Sequence, residues 1–470
     1  MKSAVRLLIT MLMILSLFGC SRFDKHTSSD SDPEQPVQKT PKDKNDESVK
    51  EPIREIPAID FTPEPTHTPS PVTVKILFEP SPGYSSVYAF HDGLAVVESF
   101  LDGNYINGYI DMTGNLVIQM IYNSALSFNE SYACVSKDGK YGFIDKAGNV
   151  VIPLEYDFAR SFENGLAPVE RNGKFGFIDT SGNVVIDFLY DDVTQWGFSD
   201  GIAKVVLGDK SGYIDKTGKI VIPIEYDFIS NDGFMDGLIV AEKDGLYGYL
   251  DMNGKTIVPL VYDRAYSFNE GFAGVREGER YGSYGFIDVN GNIVVPLEYE
   301  FMGDGPINEY KFSEGLARVC KESKYGFYNS SGELVIPARY DTAENFSDGL
   351  ACVSKDGKYG FIDKTGKIVI PLEYFDAASF SDGLACVADS DGWSGFIDKA
   401  GNIVIPFKYR DIGSFIYGVL RVYVNDKAGL VNRMDDTIVP VEYDELIISE
   451  GGVIFVKNAS GWGAYQIIEE

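Results

Sequence analysis

Short apolar runs, each broken by Asp-Gly or another glycine-bearing turn, recur from about residue 90 to the end of this 470-residue chain. The register is set by a glycine followed by an aromatic and then Ile-Asp, as in Tyr141-Gly142-Phe143-Ile144-Asp145 and Tyr359-Gly360-Phe361-Ile362-Asp363. Equivalent glycines stand at Gly108, Gly142, Gly176, Gly212, Gly248, Gly285, Gly326, Gly360, Gly395, Gly429 and Gly463, in steps of 34, 34, 36, 36, 37, 41, 34, 35, 34 and 34 residues. A period of this size marks a repeat array, and no helical repeat fits its internal alternation.

One unit, Phe346 to Tyr374, shows the parts: F-S-D-G-L-A-C-V-S-K, D-G, K-Y-G-F-I-D, K-T-G, K-I-V-I-P-L-E-Y. Asp356-Gly357 between two strand-like runs predicts a two-residue hairpin, because a type I′ turn needs the positive φ that Asp tolerates and Gly favours. This turn joins strands a and b. Asp363-Lys364-Thr365-Gly366 has the spacing of a type I turn closed by a left-handed glycine, and joins b to c. Proline recurs in strand c at Pro153, Pro223, Pro259, Pro296, Pro337, Pro371, Pro406 and Pro440. Since proline cannot donate to a ladder, this position, taken as the end of strand c, is predicted to be a sheet edge or a strand terminus. The fold class is therefore all-β, with about eleven antiparallel units of three strands, or four if a short extra strand forms.

Along strand b, Tyr359 and Phe361 oppose Gly360 and Ile362; along strand c, Ile368 and Ile370 oppose Val369 and Pro371. Both faces read as apolar, so each unit is predicted to lie sandwiched between its neighbours. Some 34 residues bury too little alone, and stability must come from the contacts between units. The repeat glycine removes a side chain where backbone or an aromatic approaches, so Gly142→Val should clash. The chain enters with a strand-c-like run, Val74 to Glu79, and ends after strands a and b near Ile468. Two half-units at the ends are able to complete one another. A closed ring, two subassemblies and an open superhelix all satisfy this pattern, and a propeller-like stack is the expectation.

These residues resemble the WG (KWG) repeat of bacterial surface and secreted proteins. The resemblance spans roughly residues 84 to 470. The tryptophan for which that repeat is named stands directly before glycine only at Trp462; Tyr141, Phe175, Tyr247, Tyr284, Tyr325 and Tyr359 take its place elsewhere, and Trp393 is displaced by one. The resemblance implies an extracellular interaction module and no shared catalytic site.

Ahead of the repeats, Lys2 and Arg6 precede an apolar run from Leu7 to Phe18, which is too short to span a bilayer as a helix and reads as a secretory signal over residues 1–19. Leu17-Phe18-Gly19-Cys20 resembles the bacterial lipobox, with Phe18 where a small residue is usual. That resemblance implies lipidation at Cys20 and a mature chain anchored at the extracellular face of a bacterial membrane. Cleavage by an ordinary signal peptidase and an uncut short anchor are the other readings. Eleven of the 21 prolines fall between Pro33 and Pro82 amid polar residues. Residues 20–75 are thus expected to be a disordered tether, with a reach of roughly 40 Å, ahead of a repeat domain over 76–470.

Composition then limits the chemistry. A net charge of −29 disfavours nucleic acid, whose binders present clustered Lys and Arg. His26 and His67 lie in the tether, leaving His91 alone in the repeats as a turn residue, so neither a zinc site nor a histidine-based triad is expected. Cys134, Cys320, Cys352 and Cys386 occupy strand a and read as buried free thiols. Asp111, Asp145, Asp179, Asp215, Asp251, Asp288, Asp363 and Asp398 all open the same turn, where a carboxylate accepts backbone N–H groups; turn-making is preferred over calcium binding or catalysis. No catalytic residue, metal ligand or cofactor site is assigned. The least regular stretch, Phe301 to Tyr310, supplies the candidate partner residues Met302, Asp304, Asn308 and Tyr310, because insertions in arrays carry individual binding behaviour. The expected function is a non-enzymatic, lipid-anchored module that binds a protein or a cell-wall glycan; the alternatives are a carboxylate-dependent glycan or peptidoglycan hydrolase and a purely structural envelope spacer.

Overall fold

The computed structural model describes residues 72–469, except 82, 195–196, 279–281, 301–309 and 411. The signal segment, Cys20, the tether up to residue 71, and Met302, Asp304 and Asn308 lie outside the described residues. The rest forms eleven small antiparallel sheets, ten with four strands and one, Val419 to Tyr443, with three among the described residues. A representative sheet runs in chain order through Phe158–Ala159 (strand d), Leu166–Arg171 (a), Lys174–Asp179 (b) and Val184–Tyr190 (c), each strand paired with the next. The fourth strand is thus real but usually two residues long, held by pairs such as Phe158↔Glu170 and Ala159↔Val169.

Local chemistry explains the turns. At the a–b hairpin Asp356 and Gly357 both take positive φ (53° and 72°), as a type I′ turn requires. At the b–c turn the Gly366 N–H donates to the Asp363 carbonyl (2.9 Å) with Gly366 at φ 81°. Strand c then bulges. Tyr141 pairs with Tyr156 and Phe143 with Ile152, so a step of two residues on strand b faces a step of four on strand c. The surplus crosses directly over Gly142: a Cβ there would lie 2.6 Å from the Ile152 carbonyl oxygen and 2.7 Å from the Pro153 carbonyl. The repeat glycine and the repeat proline are therefore two halves of one device. Glycine leaves room for the bulge, and proline sits where a ladder N–H is not needed.

The core is divided into eleven hydrophobic clusters, each shared by two adjacent sheets. In one, Cys134, Phe143, Ile152 and Tyr156 from one sheet meet Ala159, Phe162, Ala167, Val169 and Ile178 from the next. The aromatic after the repeat glycine packs on a phenylalanine of the following sheet: Phe143–Phe162 at 4.6 Å, Phe177–Phe198 at 4.9 Å, Phe327–Phe346 at 4.9 Å and Phe361–Phe380 at 4.7 Å between ring centroids. Strands a and b are thus apolar on both faces, as the sequence predicts. Strand c departs from that expectation. Ile370 is buried, but Ile368, Val369 and Pro371 are exposed, because c is the edge strand and its bulge turns Ile370 inward without its neighbours.

The ends complete one another. The N-terminal strand Val72–Ser81 pairs antiparallel with Gly461–Glu469, from Val72↔Glu469 to Ser81↔Trp462. That last sheet packs on the first: Val453, Phe455, Trp462 and Ala464 meet Val87, Ala95, Val97 and Ile110, and the Trp462 indole N–H donates to the Ser85 carbonyl at 3.1 Å. Every sheet therefore has two neighbours. The protein is a closed eleven-bladed β-propeller, counted here from blade 1 (Ser86–Tyr122) to blade 11 (Glu445–Glu469 with Val72–Ser81), and the open superhelix is excluded.

Candidate functional site

The repeated aspartates are occupied. Asp145 Oδ1 accepts the N–H groups of Ala147 (3.0 Å) and Asn149 (2.8 Å), and Asp363 Oδ1 those of Thr365 (2.9 Å) and Lys367 (3.0 Å). Asp111, Asp179, Asp215, Asp251, Asp288 and Asp398 do the same, with Asn329 and Asn432 as substitutes in two blades. The Asn149 side chain, then the backbone donors, hold the Asp145 carboxyl below the usual carboxylate range. These are the turn-makers that the sequence suggests. Among the described residues no three metal-ligating side chains converge.

Two further sets of carboxylates fasten blade to blade. Asp157, the single residue between blades 2 and 3, accepts from Lys140 Nζ of blade 2 (2.6 Å) and from the Asn172 N–H of blade 3 (2.7 Å). Asp191 repeats the clasp with Lys174 (2.6 Å) and Gly208 (2.9 Å), and Asp227 and Asp341 follow with Lys210 and Lys324. In the d–a turns Glu130 accepts the Gly165 N–H of the next blade (2.9 Å), and Asp348 that of Gly383 (2.7 Å). Much of the acidic charge is therefore structural.

The other expected residues fall as follows. Cys134, Cys320 and Cys352 are buried and Cys386 is partly so, and none of the four is in a disulfide. Burial pushes the Cys134 thiol up, and burial with the Glu300 carboxylate pushes Cys320 up to about 11. His91 ends strand d of blade 1 beside the turn at Asp92-Gly93. Tyr310 does not present its ring to a partner. It is buried between blades 6 and 7, stacked on Tyr266 (4.6 Å) and edge-on to Tyr284 (5.1 Å).

Among the described residues, the most irregular surface belongs to blade 1. Its strands Leu94–Leu101 and Asn104–Asp111 are eight residues long where most other blades have six, so the hairpin extends by the pairs Phe100↔Tyr105 and Leu101↔Asn104. At its tip Phe100 (58% exposed), Leu101 (58%) and Tyr105 (55%) stand in solvent, the two rings 5.0 Å apart. Toward blade 2 lies a recess of about 330 Å³ lined by Tyr88, Val96, Glu98, Asn107, Ser124 and Leu126, among others. Asn107 is buried and its amide donates to the Asn123 carbonyl at 3.2 Å. Burial raises the Glu98 carboxyl; burial, then the charge of Glu98 and the Tyr105 phenol, raises Tyr88. The sequence carries a signal for this hairpin: Gly103 to Gly108 is five residues, whereas Gly139 to Gly142 and Gly357 to Gly360 are three. The first unit has no preceding glycine step against which the insertion shows.

The family model for the WG containing repeat matches nine segments: 108–141, 141–175, 175–210, 212–247, 247–281, 284–325, 325–359, 359–393 and 395–427. The structure adds the start of blade 1, the rest of blade 10 beyond residue 427 and all of blade 11 to the same architecture. No curated protein matches the chain. Among solved structures, BamB from Moraxella catarrhalis is similar at 12% identity over 73% of this chain and 97% of its own, with a TM-score of 0.27. The extracellular domain of a putative one-component system from B. thetaiotaomicron is similar at 10% identity over 85% and 73%, with a TM-score of 0.23. Likeness at these scores carries no argument about the role of the chain.

Proposed function

This chain belongs to the WG containing repeat family, and from that premise we propose that it is a non-enzymatic binding module, held at the extracellular face of a bacterial membrane by a lipid on Cys20, that engages a cell-envelope polymer or a surface protein. The carrying observation is the hairpin of blade 1. Phe100, Leu101 and Tyr105 expose apolar area at the tip of an extended ladder, on a ring whose recurring carboxylates are engaged in turns and clasps. Aromatic rings held rigidly by strand pairing lose little entropy on contact and serve as anchors for a partner.

Binding of the full chain to an array of cell-envelope glycans and surface proteins tests this reading. A partner retained by the native chain and lost by Phe100→Ser/Tyr105→Ser supports it; no partner, or one held equally by the variant, overturns it. The anchor has its own test: labelling of the chain by fatty acid in cells, abolished by Cys20→Ala, is expected, and labelling that survives this change contradicts the Cys20 assignment.

A further inference from the structure

The recess between blades 1 and 2 exists because two large side chains found at the next interface are replaced. Where blade 2 meets blade 3, Tyr141 precedes the repeat glycine and Phe158 opens strand d; their rings pack 5.1 Å apart. The equivalent positions one blade earlier are Asn107 and Ser124, and both line the recess. A third difference concerns hydrogen bonding. In several blades a strand-a side chain donates across the interface to a strand-d carbonyl: Cys134 Sγ to Ala159 (3.5 Å), Lys204 Nζ to Ile229 (2.6 Å), Cys352 Sγ to Ala377 (3.4 Å), Arg421 Nη1 to Leu446 (2.9 Å), and likewise Arg318 to Ala343. Blade 1 has Val96 at this position, and an alkyl side chain donates nothing to the equivalent Ala125 carbonyl.

The recess therefore offers acceptors at Glu98, Asn107 and the Ala125 carbonyl beside the hydroxyls of Tyr88, Ser124 and Ser127, which both donate and accept. Glu98 brings a carboxylate in surroundings dry enough to raise its proton affinity. The Asn107 amide N–H₂ is directed to the Tyr122 and Asn123 carbonyls (3.5 and 3.2 Å), so the group this side chain brings as an acceptor is its oxygen. Tyr88, 47% exposed at the rim, adds a flat aromatic wall, and Val96 and Leu126 an apolar lining. A fitting ligand carries several hydroxyls, which donate as well as accept, has one apolar face for a ring to cover, and is no larger than about one sugar ring, since 330 Å³ lies at the lower end of small-molecule sites. Resting on the binding-module reading above and deepening it, we infer that the recess between the first two blades binds a single saccharide unit, its hydroxyls donating to Glu98, Asn107 and Ala125 and its C–H face lying against Tyr88.

The test restores the repeat. Asn107→Tyr/Ser124→Phe places the residues of the next interface in the recess, and this substitution is expected to fold, because the same pair already packs in blades 2 and 3. Glucose, galactose and N-acetylglucosamine are titrated into the full chain, native and variant, by saturation-transfer NMR, with thermal unfolding as the control for folding. The expected result is binding of at least one sugar to the native chain, weakened by about tenfold or more in the restored variant and in Glu98→Gln, with the melting transition retained. No binding of any of the three to the native chain, equal binding by native and restored chains, or binding of ethanolamine in preference to all three sugars overturns the inference. Retention of an array partner by the restored variant and its loss in Phe100→Ser/Tyr105→Ser refutes the recess alone and leaves the binding-module reading standing.

Discussion

Adding one methyl group to the repeat glycine tests the bulge directly. In Gly142→Ala the new Cβ meets the Ile152 carbonyl oxygen at 2.6 Å and the Pro153 carbonyl carbon and oxygen at 2.7 Å. All three are backbone atoms of strand c, so no side-chain rotation relieves the contact, and either the b–c ladder opens or the bulge moves. Overpacking of a tight site costs about 1–3 kcal/mol, and a site walled by backbone belongs at the upper end. The control is Gly139→Ala, three residues earlier in the same hairpin, where nothing lies within 4 Å of the added carbon and only the φ of +78° is unfavourable. That change is expected to cost about 1 kcal/mol. Hydrogen exchange of the full chain separates the two: Gly142→Ala lowers protection in strands b and c of blade 2 by roughly 100-fold, since 1.4 kcal/mol is about tenfold, whereas Gly139→Ala lowers it by less than about tenfold. Equal effects of the two alanines would refute the packing argument for the glycine.

Other consequences follow from the clasps and the thiols. Lys140 donates to Asp157, which also accepts the Asn172 N–H, and together they hold the Asp157 carboxyl below its ordinary value of 3.8. A group with a depressed folded-state pKa stabilises above its unfolded pKa and ceases to do so as pH falls through the folded one. Asp157→Asn should therefore lower the urea midpoint at about pH 7, with the difference from the native chain shrinking as pH falls below the ordinary carboxylate value and through the lowered folded-state one; a difference independent of pH contradicts the clasp. Cys134 and Cys352 lie in blade interfaces, and burial keeps the Cys134 thiol protonated. Iodoacetamide at neutral pH should leave both unmodified in the folded chain and alkylate them in denaturant, as read by peptide mass mapping; rapid native alkylation of Cys134 would place it outside the core.

The internal repeat was legible because its glycine, its Asp-Gly hairpin and its proline each answer a steric demand that any copy must satisfy. The aspartates of the b–c turn were readable for the same reason: their hydrogen bonds are local. Strand d was harder. A two-residue strand such as Phe158–Ala159 has no alternation to detect and exists only through its pairing with strand a. Strand c misled, since Ile368 and Val369 are as apolar as core residues yet face solvent on an edge. Ring closure depends on the angle between successive blades, a property summed over eleven interfaces that no single unit reveals. The extended hairpin of Phe100 and Tyr105 lies ahead of the first repeat glycine, where no earlier step exists for comparison, so the repeat spacing does not reveal it.

Each blade of the ring is stable only between two neighbours, and the N-terminal strand is the closing element. Hydrogen exchange on the full chain and on a chain lacking residues 72–81 measures this. The ring predicts slow exchange of Val74 and Ile76 in the full chain, comparable to mid-ring strands such as Leu238–Lys243, and a collapse of protection in blade 11 and in both its neighbours, blades 10 and 1, when the strand is removed. Fast exchange of residues 72–81 in the full chain, or unchanged protection in blade 1 after their removal, would contradict closure.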